Sequence, residues 1–271
     1  MASSTVERKR FGGTNTRGGP AEPHLRTDRW WAQPLLYVVV LGVFVVYSTY
    51  AILSGRDFQV TEGGRHLLSP FYSPCTAAAC GEETAPALGA FFGSLFWLSR
   101  IFWMVFPLSF RATCYYYRKA YYRSFFLSPP ACAVAEPMTR YNGERRLLVI
   151  QNTHRLWWYV AVGFIAMLTY DAIRGFNFGG SIGMSLGTLM LVVNVILLAL
   201  YTFSCHSCRH VVGGRLRHFS KHPVRYKLWT LASKLNARHG SFAWASLVFV
   251  GLTDLYIRLV AAGAFNDPRF F

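Results

Sequence analysis

The sequence predicts an all-α integral membrane protein, a bundle of five transmembrane helices with its N-terminus cytoplasmic and its C-terminus outside. Three observations carry that prediction. Of 271 residues, 53% are hydrophobic and only 15% charged, against about 25% charged in a soluble domain, and the mean hydropathy is +0.26. Five apolar runs each approach the roughly 20 residues that cross a hydrocarbon core. The 28 Lys and Arg against 12 Asp and Glu, a net charge of +16, concentrate in alternate connections, as the positive-inside bias requires. No basic stretch is interleaved with a module that could read a groove, so the charge reports topology and no nucleic-acid partner is expected.

Residues 1–33 mix Arg8, Lys9, Arg10, Arg17, Arg26 and Arg29 with Gly, Ser, Thr and Pro and read as a flexible basic cytoplasmic tail. The transmembrane domain is expected over 34–271. Its first apolar run begins too far from the N-terminus, and lacks the small-residue cleavage site, to be a removable signal peptide. That run, PLLYVVVLGVFVVYSTYAIL at 34–53, covers roughly 30 Å at 1.5 Å per residue. Trp30, Trp31, Tyr47 and Tyr50 lie toward its ends, where amphipathic rings favour the headgroup zone. A connection at 54–86 leads to a second span at 87–110, which contains Arg100 and Pro107. The stretch 111–153 is aromatic and basic, and its CYYYRKAYYRSFF segment suits a helix lying along the membrane surface. Further spans are predicted at 155–173, 181–204 and 241–259. The connections 111–154 and 205–240 carry seven and eight Lys or Arg, whereas the alternate ones hold only Arg56 and Arg65, and Arg174. That alternation sets the orientation. No inverted repeat of the transporter kind is evident.

Histidine and cysteine gather at the predicted cytoplasmic face. His154 opens the third span, Cys205, His206, Cys208 and His210 follow the fourth, and His239 opens the fifth. Cys205 and Cys208, at i and i+3, share one face of a continuing helix, and with the imidazoles they offer a soft site for iron or zinc. A transmembrane haem b pair is disfavoured, because facing spans would need axial histidines and none lies in the apolar body of a span; one haem near the inner face stays open. Zinc would suit two Cys and two His as well. Cys75 and Cys80, spaced as CTAAAC in the outside connection, predict a short disulfide that staples the loop. The alternative is a redox-active pair of a quinone-linked disulfide oxidoreductase. Cys114 and Cys132 read as reduced bystanders.

Arg100, Asp171 and Asp254 lie inside predicted spans, where a charge at the bilayer centre costs roughly 2.5 to 3.5 kcal/mol. Arg100 either snorkels to the headgroups or faces the bundle to bind a quinone oxygen. The two aspartates predict interfacial hydrogen bonds, and Asn194 a hydrogen bond between helices. Trp157, Trp158 and Tyr159 at the inner face read as part of an interfacial aromatic belt or, with Arg100, as the flat walls and polar anchor that a quinone ring needs.

From TDRWWAQPLLYVVVLGVFVVYSTYAIL through LLSPFYSPC and CHSCRH to the last span, the chain resembles the membrane anchor of actinobacterial, mycobacterial-type succinate dehydrogenase. The resemblance implies a single five-helix anchor in the plasma membrane, part of an enzyme and not catalytic alone, with a Rieske-type 2Fe-2S cluster in its membrane part. Cys205 and Cys208 would be the thiolate ligands and His154 and His239 the imidazoles, with His206 and His210 the competing pair. A soluble Rieske domain takes one Cys and one His from each of two loops, and this chain departs from that pattern. The implied partners are a flavoprotein subunit with FAD, an iron-sulfur subunit with further clusters, membrane lipid and quinone, and a higher oligomer of the complex is possible. Electrons from succinate would pass through the anchor to menaquinone. A purely structural anchor holding zinc, haem or no metal is the other reading.

Overall fold

The computed structural model describes residues 28–61, 64, 66–75, 96–127, 131, 132, 134 and 149–271, with side chains of the second helix described from residue 101. Most of the basic tail, residues 87–95 of the expected second span, and Cys80 lie outside the described residues. Uninterrupted Val, Leu and aromatic sequence forms α1 (Ala32–Ser54), which ends where Gly55 turns into the left-handed region at φ 66°, a conformation glycine adopts without a Cβ clash. α2 (Phe96–Ala112) is followed by α3 (Tyr115–Phe125), the helix expected from the tyrosine-rich segment. The remaining helices are α4 (His154–Arg174), α5 (Leu186–Phe203), α6 (His206–Gly213), α7 (Pro223–Asn236) and α8 (His239–Ala261).

Among the described residues, α1, α4, α5 and α8 are long and apolar enough to cross a membrane. At the second expected span stands α2, with 17 described residues, or about 25 Å at the usual rise. Its apolar stretch runs from Ile101 to Ala112. The fourth span starts at Leu186, not at residue 181. Asn177–Phe178 and Ser181–Ile182 form a short hairpin instead, turned by Gly179 and Gly180 at φ 65° and 97°, as a two-residue hairpin loop demands. Ser185 then caps α5 by accepting from the Thr188 amide, and Asp267 from the C-terminal segment accepts from the Gly187 amide at 2.9 Å, where a carboxylate complements the helix dipole.

α8 packs on α5, α5 on α4, α4 on α2, and α1 on α3 and α8. The core falls into zones along the bundle. One surrounds Phe110, Cys114, Trp158, Tyr201 and Leu247, near the start of α4. Another, around Val60, Leu67, Ala172, Leu191 and Ile257, lies at the opposite end. Val43, Val46 and Tyr50 on α1, with Tyr170 and Ile173 on α4, stay exposed, an outward apolar surface suited to lipid.

Asp254 is fully buried. It accepts from Tyr47 and Ser69 and pairs with Arg258 at 2.8 Å. Arg258 donates onward to the carbonyls of Ala51 and Arg56 at 2.7 and 2.6 Å, the first being a carbonyl left open at the end of α1. The interfacial hydrogen bonding expected of Asp254 is therefore an internal lock between α8, α1 and the loop that follows it. Its partner at i+4 is legible in the sequence as Asp-x-x-x-Arg, one helix turn apart. Asp171 likewise accepts from Ser73 at 2.5 Å. The buried Asn194 departs from expectation: its side-chain amide has no hydrogen-bond partner among the described residues.

Candidate functional site

Four helix ends meet near the start of α4 and bring four donor side chains together. Cys114 is the extended residue between α2 and α3, with φ −68° and ψ 131°. His154 opens α4. Cys205 sits at the sharp break between α5 and α6, where its sulfur caps α6 by accepting from the Ser207 amide. His239 opens α8. The Cys114, Cys205 and His239 side chains are almost wholly buried and His154 is partly so.

Two thiol–imidazole contacts define the group. His154 Nε2 lies 3.1 Å from Cys205 Sγ, and His239 Nε2 lies 3.5 Å from Cys114 Sγ. The other ring nitrogens are held by hydroxyls. The Thr113 hydroxyl donates to the Ser109 carbonyl at 2.7 Å, so its oxygen is left to accept from His154 Nδ1 at 2.8 Å. Ser204 donates to the Tyr201 carbonyl at 3.1 Å and accepts from His239 Nδ1 at 2.7 Å. This assigns the proton to Nδ1 on both rings and leaves both Nε2 lone pairs facing sulfur. Burial pushes the Cys205 thiol up to about 11 and raises Cys114 as well, so both sulfurs are neutral thiols at pH 7 and can donate to those lone pairs.

Aromatic rings seal the group. Phe110 stacks on His154 with centroids 4.7 Å apart, and Tyr201 stacks on His239 at 5.1 Å. The Arg111 guanidinium lies over the Tyr201 ring at 4.9 Å and donates to Tyr117 and Ser246. The buried Tyr201 hydroxyl lies beside the Cys114 thiol without a hydrogen bond of ordinary geometry. Asn236 at the end of α7 donates to the Ser204 carbonyl at 2.7 Å and so braces the α5–α6 break.

The structure joins three of the four ligands expected from sequence, His154, His239 and Cys205. Cys208 is buried in the same zone, but among the described residues its thiol pairs with neither imidazole; one turn of α6 separates it from Cys205. Cys114, expected to be a bystander, occupies the place beside His239. Little in the sequence marks it, because its partner lies 125 residues away. His206 and His210 pair with each other, Nε2 to Nε2 at 2.9 Å, on the exposed side of α6. Among the described residues, no three His, Cys, Asp or Glu side chains converge on a single metal position; the four donors stand as two pairs.

The expected quinone residues are not brought together. The Arg100 side chain lies outside the described residues. Trp157 donates to Thr153 Oγ1, Trp158 to the Thr202 carbonyl, and Tyr159 is exposed. An apolar cavity of about 250 Å³ instead runs between the helices from Phe110, Arg111 and Tyr201 to Phe71 and Ser73. Its first end is formed by the two rings stacked on His154 and His239. At the far end Cys75 is disulfide-bonded. The cysteines Cys114, Cys132, Cys205 and Cys208 are free. His154 opens α4 and Asp171 lies in its last turn, so the Cys75 loop, tied on through Ser73, stands about 25 Å along the helix from Cys205. A thiol relay between Cys75 and Cys205 has no support at that separation.

Apolar helices enclosing a sulfur- and imidazole-bearing group at one end define a multi-pass membrane protein with a buried Cys/His group. The family model described as actinobacterial succinate dehydrogenase subunit SdhC matches residues 32–263, and the chain belongs to that family. A chain in the solved structure titled "Mycobacterium smegmatis Sdh1 complex in the apo form" is 48% identical, with a TM-score of 0.81 and coverage of 96% of this chain and 98% of that one. No curated protein matches. The chain is thus a membrane subunit of succinate dehydrogenase, not catalytic alone, that works in the plasma membrane with flavoprotein and iron-sulfur subunits and with quinone.

Proposed function

We propose that Cys114, Cys205, His154 and His239 hold a Rieske-type 2Fe-2S cluster through which electrons from the iron-sulfur subunit reach menaquinone. The observation that carries this reading is the pairing of two buried thiols with two imidazoles whose Nε2 lone pairs face sulfur. Two sulfur and two nitrogen donors match the donor set of that cluster, which takes two Cys on one iron and two His on the other and, when bound, supplies a one-electron carrier. Cys114 replaces Cys208 in the ligand set because the helix ends bring it, and not Cys208, to an imidazole.

The chain's own residues do the rest. Thr113 and Ser204 keep each imidazole proton at Nδ1 and so orient Nε2. Phe110 and Tyr201 exclude water. Both thiols must lose protons on loading, and Arg111, whose charge opposes the effect of burial on Cys114, favours that thiolate. The cavity ending on Phe110, Arg111 and Tyr201 suits an isoprenoid quinone, with apolar walls and two polar anchors. The basic connections at the Cys/His end, cytoplasmic in this reading, dock the two soluble subunits by charge.

The test is EPR during stepwise reduction of the purified complex, with iron and acid-labile sulfide quantified. The parent, Cys114→Ser, Cys208→Ser and His154→Ala/His239→Ala are compared. A Rieske-like signal is expected in the parent and in Cys208→Ser, and lost from the assembled Cys114→Ser and double-histidine variants. A signal that survives in Cys114→Ser but vanishes in Cys208→Ser overturns the ligand set, and a parent without the signal overturns the cluster.

A further inference from the structure

At the Cys/His end a second, separate cleft of about 460 Å³ opens outward, lined by Arg155 and Tyr159 from α4, His210 and Val211 from α6, Gly214 and Arg215 from the turn after it, and Arg225 from α7. Three arginines line one space, and among the described residues no carboxylate pairs with any of them. Like charges are costly to gather without an anion between them.

One of the three is set in place by the backbone. Arg225 donates Nε to the Val212 carbonyl at 2.7 Å and Nη2 to the Gly214 carbonyl at 3.1 Å, which fixes the guanidinium while leaving its other donors unbonded. Arg215 follows the braced Gly214 and stands in the left-handed region at φ 63°, unusual for a residue with a Cβ. The cleft is therefore built, and its fork-shaped donors match phosphate oxygens.

Its position narrows the ligand. Arg155 is the second residue of a membrane-spanning helix. Below it Leu156 and Tyr159 are 60% and 53% exposed, and the outward apolar face continues along α4. A basic socket above a lipid-facing helix surface matches a molecule with an anionic head and apolar chains; a free anion would use only the socket.

We propose that this cleft binds the phosphodiester headgroup of an anionic membrane phospholipid, whose acyl chains lie along α4. The lipid neutralises the arginines beside the bundle end that carries the Cys/His group. Nothing in this assignment depends on the cluster or on the quinone cavity.

The test uses the whole succinate dehydrogenase complex in neutral detergent, titrated with spin-labelled phosphatidylglycerol or spin-labelled phosphatidylcholine. Arg155→Gln/Arg215→Gln is compared with Lys227→Gln, an exposed control outside the cleft, and iron-sulfur subunit content is measured in each. A basic residue near an anionic surface contributes about fivefold in affinity. The double variant is therefore expected to bind phosphatidylglycerol about 30-fold more weakly, with the control and subunit content unchanged. Equal binding of phosphatidylcholine, full competition by inorganic phosphate, or unchanged lipid binding in the double variant overturns the proposal. Loss of the iron-sulfur subunit from the double variant with lipid binding intact assigns the cleft to protein docking and also overturns it.

Discussion

Thr113 and Ser204 are the residues on which the imidazole geometry turns. Each is a small hydroxyl that donates to a helix carbonyl and accepts from a ring Nδ1. For the proposed cluster, loss of such an outer partner would cost about 10- to 100-fold in metal affinity. Thr113→Val, which keeps the shape and removes the acceptor, and Ser204→Ala are expected to lower the iron content of the assembled complex after mild chelation, with the chain otherwise retained. Unchanged iron retention in both variants would show that the ring protons are held by something else. Sequence reading finds the two histidines, because a His at the edge of an apolar run is conspicuous. It passes over the hydroxyls, since Ser and Thr beside helix ends are common as caps, and nothing local says which of them reaches a ring.

At the scale of elements, the interhelical contacts decide what local pattern leaves open. α6 and α7 pack closely at Gly213, where an added Cβ would collide with the Trp229 ring. The Trp229 ring is wide and is also stacked by the Arg209 guanidinium at 5.2 Å, so it has little room to retreat. Gly213→Val is therefore expected to part α6 from α7. Overpacking of this kind costs about 1–3 kcal/mol, and limited proteolysis should cut between residues 213 and 223 faster than in the parent; an unchanged cleavage rate would show that Trp229 swings aside. The helices themselves are readable from apolar length, to within two residues at each end of the first, third and fifth spans. The fourth start falls five residues later than expected because Ser181 and Ile182 continue an apolar run whose preceding Gly179–Gly180 pair folds it into a hairpin. Turn chemistry outweighs hydropathy there.

Across the whole molecule, two polar structures sit at opposite ends of an apolar bundle. The Cys/His group gathers the ends of α2, α4, α5 and α8. The Asp254–Arg258 pair ties α8 to α1 and the loop after it. Removing one partner of a buried ion pair costs about 3–5 kcal/mol, because the other charge is left without a counter-ion. Asp254→Asn is expected to lower the unfolding temperature of the detergent-solubilised complex clearly more than Asp171→Asn, whose carboxylate accepts from the Ser73 hydroxyl; equal shifts would remove the argument for a lock. Composition, run length and the alternation of basic connections determined by themselves that this is a helical membrane protein with its histidines near helix ends, because hydrophobic length and charge bias are properties of contiguous sequence. The tertiary structure alone decided that Cys114 and not Cys208 stands against His239, that the Asp254–Arg258 pair reaches across to α1 and the loop after it, and that three arginines line one cleft. Those pairings join residues far apart in the chain, and they follow from how helices pack, which no local period encodes.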